Sequence, residues 1–309
     1  MSTTADSTPT TPPTTPEQAL AWEADNRTKA AIAAWAAGAL ALIGGVITNA
    51  AYQALPGYPD RVVTITDALR DVASGKTIPP GRAALQLHWI ADHPVAMTAG
   101  PILSALSALL IFGVLAFLFQ ATRARVQRIG RSSLIFAAIG AVAYGVGTAV
   151  VGIGRVVAAN GFSPTGTNAD AVDALSSGPI AIGTVLQLLG SFSLGFAFIM
   201  IALAAMRCGL LTRFAGVLGM IVGGTFVLPL DQIGIIRAFW LLMIGFLFAE
   251  RWPRGVPPAW RTGKAEPWPS SSRVRLQPSA NGKAALETPA PAPPPELSAG
   301  QRRKKRKKK

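Results

Sequence analysis

Residues 120–131, QATRARVQRIGR, carry Arg123, Arg125, Arg128 and Arg131 with no acid among them, and they stand between two long apolar runs that hold no charge. About 20 apolar residues in a helix cross the roughly 30 Å hydrocarbon layer of a bilayer. Connections rich in Lys and Arg stay on the cytoplasmic side. The stretch therefore reads as a cytoplasmic connection between two membrane-crossing helices, and it fixes the side on which the rest of the chain lies.

Outward from this connection, runs with little or no charge recur along the chain. Six spans are expected, over residues 30–51, 94–120, 132–154, 179–206, 214–230 and 232–249. Arg27 and Lys29, the Arg123 to Arg131 cluster, Arg207 with Arg213, and the basic flank after residue 250 then fall on one side. Both termini are thus expected in the cytoplasm, with the two longer connections outside. The expected fold class is all-α: a polytopic helical membrane protein of about six transmembrane helices, multi-pass in the plasma membrane, with disordered tails. The domain plan is a disordered leader over 1–27, where Thr and Pro dominate, a six-helix transmembrane domain over 28–251, and a disordered, Pro-rich, basic tail over 252–309. The last two spans read as a tight hairpin, joined near Pro229 and Asp231 and interrupted by Arg237.

Composition points the same way. The chain is 50% hydrophobic and 14% charged, with a mean hydropathy of +0.39, whereas soluble domains carry about 25% charge. The net charge of +14 resembles that of a nucleic-acid-binding protein until the charges are located: residues 250–309 hold fifteen Lys/Arg against four acids. The chain ends on Arg302, Arg303, Lys304, Lys305, Arg306, Lys307, Lys308 and Lys309. Each such residue near anionic lipid contributes about 1 kcal/mol of attraction, so the terminal run and the Arg123 cluster are expected to meet lipid headgroups. Nucleic acid is disfavoured as a partner, because no aromatic residue is interleaved with the terminal run to stack bases. No protein partner is indicated, and the glycine-rich apolar faces leave room for a homo-oligomer. Cys208 is the only cysteine, which excludes an intrachain disulfide. No cofactor motif is present.

Two groups of residues are candidates for chemistry. Arg237 lies inside an apolar run, where an ionisable group is expensive and is by default a functional candidate. With Arg155 and Asp231, placed at the same outer level, it would form an anion-binding cluster; the bland reading is that Arg237 snorkels to the surface. The second group is LQLHWIADHPV, residues 85–95, which holds both histidines. His88 and Asp92 are four apart and share a helical face, with His93 across a turn, so the three could bind a metal. The bland reading makes both histidines interfacial and Asp92 a cap for a helix opening at Pro94. Gly219 and Gly223 form a GxxxG pair that lets helices approach closely, here read as packing within the chain.

FLFQATRAR (117–125), LLTRFAGVLGMIVGG (210–224) and FWLLMIGFLFAERWPRGVPPAW (239–260) are similar to stretches of small bacterial multi-pass membrane proteins grouped as domains of unknown function. The resemblance covers most of residues 28–260 and is one of layout and phrasing. It implies a six-span helical membrane protein and supplies no catalytic residues to carry over. The leading functional reading is a non-enzymatic scaffold or regulator that presents two outer loops and tethers a basic tail. The alternative is a small-solute or anion transporter with its path between the glycine-rich helices. A third reading, a membrane metalloenzyme, would rest on His88, Asp92 and His93.

Overall fold

Helix α1 opens on a capping box: Thr15 accepts a hydrogen bond from the Gln18 N–H, and the Gln18 side chain accepts one from the Thr15 N–H. With Pro16 in the first turn and no breaker beyond it, α1 runs unbroken over Pro16–Ala54, 39 residues or about 58 Å. The computed structural model describes residues 15–56, 66, 69–70, 73–75, 81–126, 129–163, 166–228, 230–253 and 255–266. Of these, 82% are helical and none lie in strands.

After α1 come α2 (Arg82–Asp92), α3 (Pro94–Arg125), α4 (Ser132–Asn160), α5 (Asn168–Leu175), α6 (Gly178–Arg207), α7 (Arg213–Val227), α8 (Ile235–Phe248) and α9 (Pro258–Thr262). Four of them, α1, α3, α4 and α6, are long and apolar enough to cross a membrane. Their order in space is a ring: α1 packs on α3, α3 on α4, α4 on α6, α6 on α7, α7 on α8, and α8 back on α1. Helices α2 and α5 lie at one end of this ring, packed on each other and on α4. The opposite end, here called the basic end, carries the start of α1, Arg125 and α9.

Glycine sets the tightest of these interfaces. A Cβ on Gly140 or Gly147 of α4 would meet the backbone of Leu194 or Gln187 on α6, and one on Gly190 of α6 would meet the backbone of Tyr144. Both helices thus approach to backbone contact, which only a stripe without side chains permits. Gly223 similarly lies against the Gly195 carbonyl, 2.7 Å from where its Cβ would be, so the GxxxG pair is used inside the chain.

Three expectations change at the ends of elements. Residues 16–27, assigned to a disordered leader, are helical: the capping box nucleates them, and Ala19 and Glu23 are buried against the bundle at 1% exposure each. Residues 255–266, assigned to a disordered tail, pack on the same end, where Trp260 is buried and donates from Nε1 to the Leu210 carbonyl at 2.9 Å. The spans expected over 214–230 and 232–249 are shorter than drawn. Helix α7 has 15 residues and α8 has 14, about 22 and 21 Å against a hydrocarbon layer of about 30 Å. Leu228, which precedes a proline in the sequence, is extended at φ −105° and ψ 122°, as the residue before proline tends to be. Gly234 takes a left-handed φ of 81° to start α8.

Candidate functional site

The α7–α8 hairpin stops inside the bundle. Gly45 of α1 packs directly on the Ile233 carbonyl, while α1 continues to Ala54; Gly195 of α6 meets Gly223 and Val227, while α6 begins at Gly178. At the tip of the hairpin the six helices line a partly open cavity of about 350 Å³. Its wall takes residues from every member of the ring: Gly45 of α1, Ser104 of α3, Tyr144 of α4, Gln187 of α6, Thr225 of α7 and Arg237 of α8. Below it, toward the basic end, Leu115, Leu194, Phe198, Trp240, Leu241 and Ile244 are all fully buried and close the bundle. The cavity is therefore a dead end on that side.

Asp231 and Arg237 both line this cavity. The Asp231 carboxylate accepts from the Arg237 N–H at 3.0 Å and the Ile236 N–H at 3.3 Å, so it caps the first turn of α8, where the helix dipole favours an anion. The Arg237 guanidinium lies over the Phe226 ring, 4.0 Å from its centroid, and its Nε is buried without a hydrogen bond. The ion pairs among the described residues join Glu23 to Arg125 and Arg27, and Arg27 to Glu250; none includes Arg237. An arginine keeps its charge in proteins. The cavity thus contains a cation held by an aromatic face and left with free donor capacity.

Arg155 is placed elsewhere. It lies over the Tyr52 ring, 5.4 Å from the centroid, in a second cavity of about 220 Å³ with Arg82, Gln86 and Met97. The two cavities share no lining residue. Of the expected trio, the structure brings Asp231 and Arg237 into one wall and leaves Arg155 out, because Tyr144, not Arg155, is the α4 residue at the level of the hairpin tip.

The histidines are each held by an aromatic neighbour. His88 meets the Phe162 edge at 5.4 Å, while His93 stacks on Trp89 at 4.3 Å with its Nδ1 2.9 Å from the Trp89 carbonyl. His93 sits between α2 and α3 with Pro94 opening α3, and Asp92 is exposed. Among the described residues no three His, Cys, Asp or Glu side chains converge as metal ligands would, so His88, Asp92 and His93 do not form such a group.

At the basic end the structure reveals a charge cluster that spacing could not indicate. Arg125, expected at lipid headgroups, has a fully buried side chain. Its guanidinium pairs with both Glu23 oxygens, donates to the Ala121 carbonyl at 2.8 Å and to the Ala259 carbonyl at 2.7 Å, and lies over Trp260. Arg27 joins from the other side, paired with Glu250 and placed 4.8 Å from the Trp260 centroid. Helices α1, α3 and α9 are thereby tied together by a nearly neutral cluster. Arg131 is exposed at the start of α4 and Arg123 is partly exposed, while Arg128 and Arg302 to Lys309 lie outside the described residues.

The described residues form an all-helical bundle with four helices long and apolar enough to cross a bilayer, as a helical membrane protein would have, and a cavity lined by both polar and apolar residues lies between them. Compared with protein-family models, with curated proteins and with solved structures, the chain has no significant match.

Proposed function

We propose that this protein is a solute-binding membrane protein of permease type, whose central cavity takes a small polar or anionic solute. The observation that carries the reading is Arg237: a cation within the bundle, with a buried Nε and no ion pair among the described residues. Such a group costs several kcal/mol in an apolar surrounding unless something answers it. A scaffold has no need of a polar chamber at the centre of its helices, and an arginine placed there would only destabilise it.

The membrane plan that fits is four full crossings by α1, α3, α4 and α6, with α7–α8 as a hairpin entering from the basic end. This keeps residues 15–27 and 250–266 on one side, which the Lys/Arg bias assigns to the cytoplasm of a plasma-membrane protein. The cavity then opens outward and is sealed inward by the core around Phe198 and Trp240. On this plan the terminal run of basic residues would lie beside anionic cytoplasmic lipid.

A thermal-shift screen of the purified protein against small carboxylates, amino acids, polyols and amines tests the reading. A ligand at 100 times its Kd stabilises by about 2.7 kcal/mol, enough to shift Tm by several degrees. At least one class is expected to do so in the wild type and to lose the effect in Arg237→Leu. If every class leaves Tm unchanged and the protein retains no lipid headgroup selectively, the solute reading fails and a scaffold role stands in its place.

A further inference from the structure

The chemistry of the cavity wall is two-signed. Three of its hydroxyls have committed their protons to backbone carbonyls: Thr184 to Ile180 at 2.9 Å, Ser191 to Leu188 at 2.7 Å and Thr225 to Val222 at 2.8 Å. A hydroxyl whose proton is spent within its own helix offers only lone pairs to a ligand. Asp231 adds a carboxylate, which has about four acceptor directions and uses two on backbone N–H groups. This part of the wall therefore asks for a donor. Arg237 asks for the reverse, since a guanidinium has five N–H donors and no acceptor. One cation and one anion on the wall, not paired with each other, suit a ligand that carries both charges. An anion alone would leave Asp231 facing it, and like charges in a low dielectric repel strongly.

The second observation concerns entry. The hairpin linker exposes Leu228 at 57% and Leu230 at 74%, and it sits level with Gly45, well below the ends of α1 and α6. Those two helices flank the hairpin and have no packed interface with each other. Above the linker the ring is open sideways, so a group can reach Arg237 from the aqueous side or from the adjoining lipid leaflet.

We propose that the central cavity takes a zwitterionic group, with a carboxylate or phosphate on the Arg237 guanidinium and a primary ammonium against Asp231 and the acceptor hydroxyls. The inference rests on the solute-binding reading and narrows it. The same chemistry has two sources, a free amino acid or the ethanolamine phosphate headgroup of a lipid.

The test compares ligands on the intact wild-type chain, so that no variant has to fold for it to be decided. In detergent, affinities are measured for 4-aminobutanoate and L-alanine against butanoate and butylamine, which each carry one of the two charges. In nanodiscs, retention of phosphatidylethanolamine is compared with that of phosphatidylglycerol by native mass spectrometry. The expected result is a preference of at least about tenfold for the zwitterion in one arm, and the arm names the source. Arg237→Leu and Asp231→Asn should each abolish that preference. Equal binding of butanoate and 4-aminobutanoate, with no lipid preference, overturns the zwitterion and leaves an anion site. Binding of a polyol or amine alone also overturns it, again with the cavity intact. Failure of every probe in both arms, together with a flat thermal-shift screen, removes the solute reading itself.

Discussion

Glu23 and Arg125 show how much one pair can decide. Both side chains are buried, at 1% and 0% exposure, and removing one partner of a buried pair leaves the other uncompensated at a cost of about 3–5 kcal/mol. Glu23→Ala should therefore lower the detergent Tm sharply, whereas Glu23→Leu combined with Arg125→Met should recover most of the loss; equal losses would mean that the cost does not come from a stranded charge. In the sequence Arg125 belongs to a run of arginines without an acid, and its partner lies 102 positions away, so nothing local distinguishes it from Arg123 or Arg131. Arg237 was different. A lone charge in an apolar run is visible without a structure, as was Asp231 nearby, but which wall they share depends on where the hairpin stops. Cys208 is buried, which pushes its thiol up, so little thiolate should be available to react.

The helices follow local rules wherever those rules are strong. Pro94, Thr167 and Thr212 open helices where the residue types say they should. In α5 the cap is titratable: hydrogen bonds from Thr167 hold the Asp170 carboxyl below its ordinary value. Its contribution is complete above the usual aspartate range, near about 4, and is lost as pH falls through the lower folded value. Amide protection over 168–175 should therefore drop in acid, and Asp170→Asn should make it insensitive to pH. The small-residue interface of α4 and α6 gives a steric prediction. Gly190→Val forces a side chain into the Tyr144 backbone and should cost at least about 1–3 kcal/mol. Gly113→Ala, with nothing within 4 Å of the added carbon, should instead stabilise α3 by up to about 1 kcal/mol. Thermal unfolding of both variants checks the pair. Element lengths were less legible than element types. The start of α1 was masked by its Thr- and Pro-rich approach, and the last two apolar runs looked like full spans because apolar composition continues past the ends of α7 and α8.

At the scale of the molecule, the bundle is solid at the basic end and hollow at the other. The Glu23, Arg125 and Trp260 cluster, together with the core around Phe198 and Trp240, would have to open for any solute to pass through, so on the proposed solute-binding reading the described arrangement would be closed at the basic end and open at the other. The apolar runs foretold an all-helical fold with helices long enough to cross a membrane, but not its ring order, since apolar composition does not say which face meets which. The most direct test of the account is the reach of water to its centre. Ser191→Cys and Thr225→Cys, each in a Cys208→Ser background, are compared with Ile221→Cys, which is 49% exposed on the outer face of α7, for reaction with a membrane-impermeant thiol reagent added outside sealed cells. The account predicts that the two cavity cysteines react, that Ile221→Cys is protected by lipid, and that neither cavity position is reached from the cytoplasmic face of inverted vesicles. Cavity cysteines as unreactive as Ile221→Cys from outside would show a dry interior and contradict the solute-binding centre.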